Sequence, residues 1–239
     1  MKSITKFLVC ATLGLGGLTA QAHAASGDST VSLGFAHLQL SGLNNFVKDL
    51  SLHNLDTFNN FVNENYFNSP GEYDDDGKEK SPLGMNIKYR YEITDEIGVI
   101  TSFAWARSMT NAQAFIDVKP SDPSREVKKP AASARTDIRA NYWSLLSGPS
   151  WRFNEYLSVY SMAGVAVAKV TYDLKVNDNL NGGVGSFSES NSTKKTSIAW
   201  SVGAQFNFNE SVTMDVTYES SGSGDWKTDG LFAGIGLKF

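Results

Sequence analysis

Histidine is the usual general base of hydrolases that use a serine nucleophile, so its positions show whether the chain could carry that chemistry. Past the first 24 residues the sequence holds only His37 and His53, and none occurs from Asn54 to Phe239. His37 ends an alternating segment and is the one position to suspect, although a histidine at the base of a loop is the simpler interpretation. No GxSxG motif occurs. We therefore predict a protein that is not an enzyme and that has no catalytic residues and no cofactor.

The acidic stretch "EYDDDGKEK" is similar to the opening of a calcium-binding loop, in which alternating oxygen ligands precede a glycine. Glu72, Asp74, Asp76 and Gly77 fit that opening. The loop needs a bidentate acid at its twelfth position, and that position is Leu83. We predict a solvated acidic segment and no metal site, with a weak contact to divalent cations as the open alternative.

A group of basic residues follows in the middle of the chain, where few acids balance it. The bases are Lys119, Arg125, Lys128, Lys129 and Arg135, and the acids are Asp117, Asp122 and Glu126. Such an excess of positive charge could hold the phosphates of lipopolysaccharide or the sulfates of glycans. A solvated charged loop is the alternative interpretation.

The segment between Ser41 and Leu83 carries apolar side chains at steps of three and four residues. They are Leu43, Phe46, Val47, Leu50, Phe58, Phe61 and Val62. This spacing predicts one or two short amphipathic helices, with a strand extension as the alternative. Exposed apolar patches mark contact surfaces, so Phe46, Leu50, Phe58 and Phe61 are candidate binding residues.

The elements that must position these segments are strands, because apolar residues alternate with polar ones along most of the chain. In "GMNIKYRYEIT", for example, Ile87, Tyr89 and Tyr91 alternate with Lys88 and Arg90. Seven other stretches show the same period: "TVSLGFAHL", "GVITSFAWAR", "NYWSLLSGPSWRF", "LSVYSMAGVAVAK", "TSIAWSVGAQFNF", "SVTMDVTYES" and "GLFAGIGLKF". The pattern predicts an all-β protein of eight antiparallel strands.

The connections between these strands alternate between short and long. Tight turns are expected near "TDEI", "NEY" and "FNES", whereas long loops span about 41–83, 108–136, 173–195 and 220–229. Short turns on one side and long loops on the other are typical of an outer-membrane barrel, with the turns in the periplasm and the loops outside the cell.

The composition of the two strand faces also favours a barrel in lipid over a soluble sandwich. One face carries large apolar and aromatic side chains, and the other is rich in Gly, Ala and Ser with a few charges, which suits the narrow interior of an eight-stranded barrel. Charges there must be paired, so we predict an interior polar network. Its members are Lys88, Arg90, Glu92, Arg152, Gln205, Asp215, Glu219 and Lys238.

The first 24 residues are typical of a secretory signal peptide. Lys2 and Lys6 precede the apolar run 7–18, and Ala22-His23-Ala24 provides a small-x-small cleavage site. Cleavage would leave residues 25–239 as the barrel and would remove the single cysteine, so disulfides and thiol chemistry are excluded. Without Lys2 and Lys6 the formal charge of −4 becomes about −6, which argues against a nucleic-acid binder.

Five stretches together resemble the Ail/Lom family, the OmpX- and PagC-like outer-membrane proteins of enterobacteria. They are "GMNIKYRYEI", "GVITSFAW", "YWSLLSGPSWRFNEYLSVYSMAGVAVAKV", "KKTSIAWSVGAQFNFNESVTMDVTYESS" and "FAGIGLKF". The resemblance implies an integral barrel of the outer membrane of a Gram-negative cell, inserted by the barrel-assembly machinery. The segment 41–83 is longer than the corresponding loop typical of the family.

Several members of this family act at the host surface, so the resemblance implies three hypotheses about function. The first is that the loops bind host matrix or complement proteins and serve adhesion, invasion or complement resistance, which would make the protein a virulence factor. The second is a structural or envelope-stress barrel that interacts with lipopolysaccharide and has no host ligand. The third, a lipid-modifying enzyme, depends on His37 alone. We predict a monomer in each case.

Overall fold

The alternating segments form one antiparallel sheet that closes on itself. The computed structural model describes residues 26–41, 72–74, 81–116, 132–178 and 186–239. The strands are β1 (Ser29–Leu40), β2 (Glu72–Asp74), β3 (Leu83–Glu92), β4 (Ile97–Ile116), β5 (Ala132–Arg152), β6 (Leu157–Asp178), β7 (Phe187–Asn207), β8 (Val212–Ser221) and β9 (Thr228–Lys238). β1 pairs with β3 and β9, and β4 pairs with β5, so the eight long strands form a closed barrel. The predicted eight-stranded barrel is confirmed.

The charged face of the strands points into the barrel. In β3, Ile87 is 46% exposed, whereas Lys88 and Arg90 are each 2% exposed. The same alternation places Trp200 and Phe206 of β7 on the outside. Because large apolar side chains face outward and polar ones inward, the wall has the polarity of a barrel that lies in lipid.

Three tight turns join the strands at the periplasmic end, at the positions expected from the sequence. In each turn one side-chain oxygen accepts a hydrogen bond from the backbone N–H three residues later. The acceptors are Thr94 at 2.9 Å, Asn154 at 2.9 Å and Asn209 at 2.7 Å. Such side-chain bonds satisfy backbone groups that the ladder leaves unpaired at its end.

Four strands run further from the membrane than the sequence predicted. Much of the segments 108–136 and 173–195 is strand, because β4 pairs with β5, β5 with β6 and β6 with β7 to the tips. In β7 this part is polar on both faces, whereas in β6 the apolar residues Val170, Leu174 and Val176 are buried on the inner face. We call this part the extension; it comprises residues 107–116, 132–141, 169–178 and 187–194.

Regular structure also enters the first and fourth predicted loops. β2 lies within the segment 41–83 and pairs with β4. β8 continues to Ser221 and β9 begins at Thr228, so the fourth loop spans 222–227 rather than 220–229. It contains a short 3-10 turn, Gly224–Trp226. The predicted signal peptide lies outside the described residues.

Apolar and polar side chains share the barrel interior. Towards the extracellular end lies a buried apolar cluster of Leu40, Ile138, Ala140 and Val170, against which Trp226 packs. A larger apolar cluster, which includes Ile100, Leu146 and Phe232, continues along the lumen together with buried polar side chains, among them the charged residues of β3. Within the described ranges, no helix is long and apolar enough to cross a bilayer.

Candidate functional site

The first interior group is centred on Lys88. Its ammonium group contacts the carboxylate of Asp215 and the hydroxyl of Thr217, and it lies 3.0 Å from the hydroxyl of Tyr160. The Tyr160 hydroxyl in turn donates to Asp215. These side chains come from β3, β6 and β8, so the group connects three strands across the lumen. Within it, the buried charges of Lys88 and Asp215 neutralise each other.

A second group lies nearer the periplasmic end, around the carboxylate of Glu92. Nη2 of Arg152 donates to Oε1 of Glu92 at 2.7 Å, and Nη2 of Arg90 lies 2.7 Å from the same oxygen. Nη1 of Arg90 also donates to Oε1 of Gln205 at 3.3 Å. One carboxylate therefore balances two guanidinium groups.

The remaining predicted interior residues lie apart from these two groups. Glu219 accepts a hydrogen bond of 2.7 Å from the hydroxyl of Tyr142, which is also 3.1 Å from the hydroxyl of Ser221. Lys238 lies 3.5 Å from the carboxylate of Asp28. The structure thus separates the eight residues into several groups, with Tyr142 and Tyr160 as members that the sequence analysis did not include.

The geometry around His37 offers no relay for a nucleophile. His37 is exposed on the outer face of β1, opposite Leu231 of β9. The nearest serine–acid contact is on β8 and β9, where Ser220 donates directly to Asp229 at 2.8 Å. A serine nucleophile needs a base between itself and the acid, and no such base is in place here. Among the described residues no cluster of His, Cys, Asp or Glu could hold a metal ion.

The outer face of the extension begins with a line of three basic residues and one asparagine. Arg107, Asn141, Lys169 and Lys194 are successive cross-strand partners on β4, β5, β6 and β7. The three cations are exposed. We call these four residues the basic row.

The basic row lies directly beyond a pair of tryptophans. Trp105 and Trp143 are cross-strand partners two residues closer to the membrane on β4 and β5, and both are exposed to the outside. Tryptophans in that position form the interfacial girdle of membrane barrels. The basic row therefore stands where the lipid headgroups and the extracellular solvent meet.

Two other bases of the extension are neutralised by acids. Arg139 pairs with Asp173, and Arg135 pairs with Asp137 at 3.0 Å. The hydroxyl of Ser190, 2.5 Å away, and the guanidinium of Arg139 lower the pKa of the Asp173 carboxyl. By contrast, no carboxylate of the described residues forms an ion pair with any cation of the basic row.

The loop residues proposed from the sequence lie outside the described residues. These are Phe46, Leu50, Phe58 and Phe61 of the first loop and Lys119, Arg125, Lys128 and Lys129 of the second. The acidic stretch is described only at the backbone of Glu72–Asp74. The sequence analysis missed the basic row because its members are far apart in the chain, and only the strand register brings them together.

Comparison with known proteins agrees with the fold and the polarity of the wall. The sequence model of the family described as "Enterobacterial Ail/Lom protein" matches residues 66–239. The chain belongs to the Ail/Lom family. The Ail/Lom resemblance stated from the sequence is confirmed, and with it the location in the outer membrane.

Two curated members illustrate the range of the Ail/Lom family. The chain is 35% identical over 162 residues to outer membrane protein lom of Escherichia phage lambda, which covers 65% of this chain and 73% of lom. It is 32% identical to the virulence membrane protein PagC of Salmonella typhimurium, over 67% of this chain and 78% of PagC.

A solved Ail/Lom structure shares the architecture. Ail, the attachment invasion locus protein of Yersinia pestis, in complex with the heparin analogue sucrose octasulfate, superimposes with a TM-score of 0.55 at 26% identity. The superposition covers 90% of this chain and 99% of Ail. The chain is thus an outer-membrane barrel of a family with virulence-associated members.

Proposed function

We propose that the barrel is a scaffold and that the extension and the loops bind molecules of the host surface, in the service of adhesion, invasion or complement resistance. The ligand class that the geometry supports best is a sulfated polysaccharide. The observation that carries this proposal is the basic row, an exposed line of cations with no acid to neutralise them among the described residues.

The spacing of the basic row suits an extended polyanion. Neighbouring strands are about 4.8 Å apart, so the row presents its charges over roughly 15 Å across four strands. Sulfates repeat along a polysaccharide at intervals that such a row can follow, and electrostatic attraction would also speed association. The complex of Ail with a heparin analogue adds support from a relative.

The interior contributes to stability in this proposal and does not carry chemistry. Lys88, Arg90, Glu92 and Asp215 are buried, and the apolar cluster closes the lumen on the extracellular side. We also infer that the protein is not an enzyme, because among the described residues neither a serine nor an acid stands in a relay geometry with His37.

The experiment uses sucrose octasulfate as the probe. Purified protein in phospholipid nanodiscs would be titrated with it, as the parent and as the triple variant Arg107→Ala, Lys169→Ala, Lys194→Ala. We expect the triple variant to bind at least about tenfold more weakly, because it loses three charge-assisted contacts.

The single variants Lys194→Ala and Lys227→Ala form a matched pair. Lys227 is also exposed but lies 3.2 Å from Asp229, and its loss should change little. Equal affinities for the parent and the triple variant would refute the proposal.

A second candidate function follows from the height of the basic row. Because it stands just beyond Trp105 and Trp143, the same cations could hold the phosphates of lipopolysaccharide in the outer leaflet. Repeating the titration in nanodiscs that contain lipopolysaccharide separates the two functions. If lipopolysaccharide occupies the basic row, sucrose octasulfate will bind the parent no better than the triple variant in that membrane.

A further inference from the structure

A groove of about 980 Å³ crosses the outer wall of the barrel, from the periplasmic turn at Glu96 to Leu231 of β9. Glu96 and Trp151 stand at its mouth, and Pro149, Ser161 and Ala204 line its middle. The lining is mostly apolar, as expected for a surface that faces lipid. This groove lies far from the extension, and the proposed function makes no use of it.

The groove forms where the ladder between β5 and β6 is interrupted. Backbone pairs occur at Ser147 with Ala163 and at Ser150 with Tyr160, but none is made at Pro149. Proline has no N–H to donate, so it weakens a ladder in the interior of a strand. Small side chains at Ser161 and Ala204 then leave a depression between the larger residues around it.

The position of the groove identifies the leaflet that faces it. Glu96 belongs to the periplasmic turn between β3 and β4, and Trp151 is next to the periplasmic end of β5. From this mouth the groove rises across the wall to Tyr218 and Leu231, which lie towards the extracellular ends of β8 and β9. A lipid whose headgroup lies at the periplasmic mouth therefore belongs to the inner leaflet.

The charge at the mouth identifies the headgroup. Glu96 is exposed in the periplasmic turn between β3 and β4, and its neighbour Asp95 accepts a hydrogen bond of 2.9 Å from the backbone N–H of Ser26. The described bases at this end, Arg152 and Lys238, are directed inward and are occupied by Glu92 and Asp28. The mouth is therefore negatively charged, and it would attract an ammonium group and repel a headgroup with only negative charge.

We propose that the groove binds one phospholipid of the inner leaflet, with an acyl chain along Pro149, Ser161 and Ala204 and an ammonium-bearing headgroup beside Glu96. The ligand class is a zwitterionic aminophospholipid. The groove gives the chain more van der Waals contact than a smooth wall does, and because the surrounding lipid tails are themselves apolar, this packing is what favours the groove. The lipid is thereby retained longer than the ordinary lipids around the barrel.

The test measures which lipids stay on the barrel after gentle extraction. Protein folded in vesicles of equal parts phosphatidylethanolamine and phosphatidylglycerol would be transferred to a mild detergent and analysed by native mass spectrometry. We expect one retained lipid per barrel and a preference for phosphatidylethanolamine of about fivefold, the size of one exposed ion pair.

Two matched pairs of variants separate the chain contact from the headgroup contact. Ala204→Phe fills the groove and should remove the retained lipid, whereas Ala233→Phe, at an exposed alanine outside the groove, should keep it. Glu96→Gln should keep one lipid but lose the preference, whereas Glu155→Gln should keep both. Heat-dependent gel mobility confirms that each variant is folded, and Ser161→Leu serves as a second groove-filling variant.

Several results would overturn the proposal. Equal lipid retention by Ala204→Phe and the parent would show that the groove does not hold the chain. Equal retention of the two lipids by the parent would exclude the headgroup contact. A dimer mass that Ala204→Phe abolishes would show that the occupant is a second copy of the chain.

Discussion

The carboxylate of Glu92 lies 2.7 Å from the guanidinium of Arg90, two residues earlier on the same strand, and the same oxygen accepts a hydrogen bond from Arg152. All three side chains are buried. Two buried cations thus contact the same acid, which makes Glu92 the most sensitive charged position that we identify in the interior.

We predict that Glu92→Gln destabilises the barrel by about 3–5 kcal/mol, because it removes the carboxylate that two buried guanidinium groups contact. Arg90→Leu should cost less, because Arg152 still pairs with Glu92. Urea unfolding in lipid vesicles, followed by tryptophan fluorescence, measures both. The periplasmic-turn variant Glu155→Gln is the control and should unfold like the parent. A Glu92→Gln midpoint equal to that of the control would contradict this account of the interior.

The sequence predicted which residues face inward, because the period of two is visible in each strand. It did not predict the partners. The alternation indicates eight members of one interior network and no pairing among them, whereas in the structure Arg90 contacts Glu92 and Gln205 and Lys88 contacts Asp215. Partners depend on the stagger between strands around the closed barrel, which no local pattern encodes.

The extension shows the same limit in another way. In "SESNSTKK", residues 188–195 are exposed on both faces of β7, so the sequence looks like a loop. Pairing with β6 makes this segment a strand. The local sequence pattern therefore predicts the strands in the part of the wall that faces lipid. It underestimates how far these strands continue outside the membrane.

The polarity of the wall predicts a dependence on depth for charged substitutions. Ile87 and Leu83 both face outward on β3, with Ile87 nearer the middle of the apolar band. Ile87→Arg should cost about 2–4 kcal/mol and Leu83→Arg only about 0–1 kcal/mol. Urea unfolding in lipid vesicles measures the free energy of unfolding of both variants. Equal costs at the two positions would mean that the band is placed incorrectly on this strand.

The last residue should act in assembly. Phe239 is exposed on the same face as Leu237 and Ile235 of β9, which resembles the C-terminal signal that the barrel-assembly machinery reads. We expect deletion of Phe239 to lower the amount of protein in the outer membrane sharply and Phe239→Tyr to leave it near normal. Quantitative immunoblotting of membrane fractions measures this. Normal levels of the deletion variant would remove Phe239 from the signal.

The extension should respond to acid through Asp173. Its pKa is lowered by the Ser190 hydroxyl and by Arg139, so the stabilisation is present above the ordinary carboxyl pKa of about 3.9 and is lost as pH falls through the lowered value. Ser190→Ala should raise the pKa, and Ser188→Ala should not. Carboxyl chemical shifts from NMR titration in nanodiscs report it. A pKa unaffected by Ser190→Ala would contradict the assigned cause.

The most direct test of the separation between scaffold and binding surface is the binding of sucrose octasulfate to trimmed variants in phospholipid nanodiscs. Joining Ala106 to Tyr142 and Ala168 to Lys195, which are cross-strand partners, removes the extension with its basic row; joining Ser41 to Pro82 removes the first loop. The cost of closing a loop depends weakly on its length, so both barrels should still fold and shift in mobility on heating.

We predict that removal of the extension abolishes the binding of sucrose octasulfate, whereas Arg90→Leu, at equal protein level, retains it. Unchanged binding after removal of the extension, together with loss of binding in Arg90→Leu, would contradict the account and place the function inside the barrel.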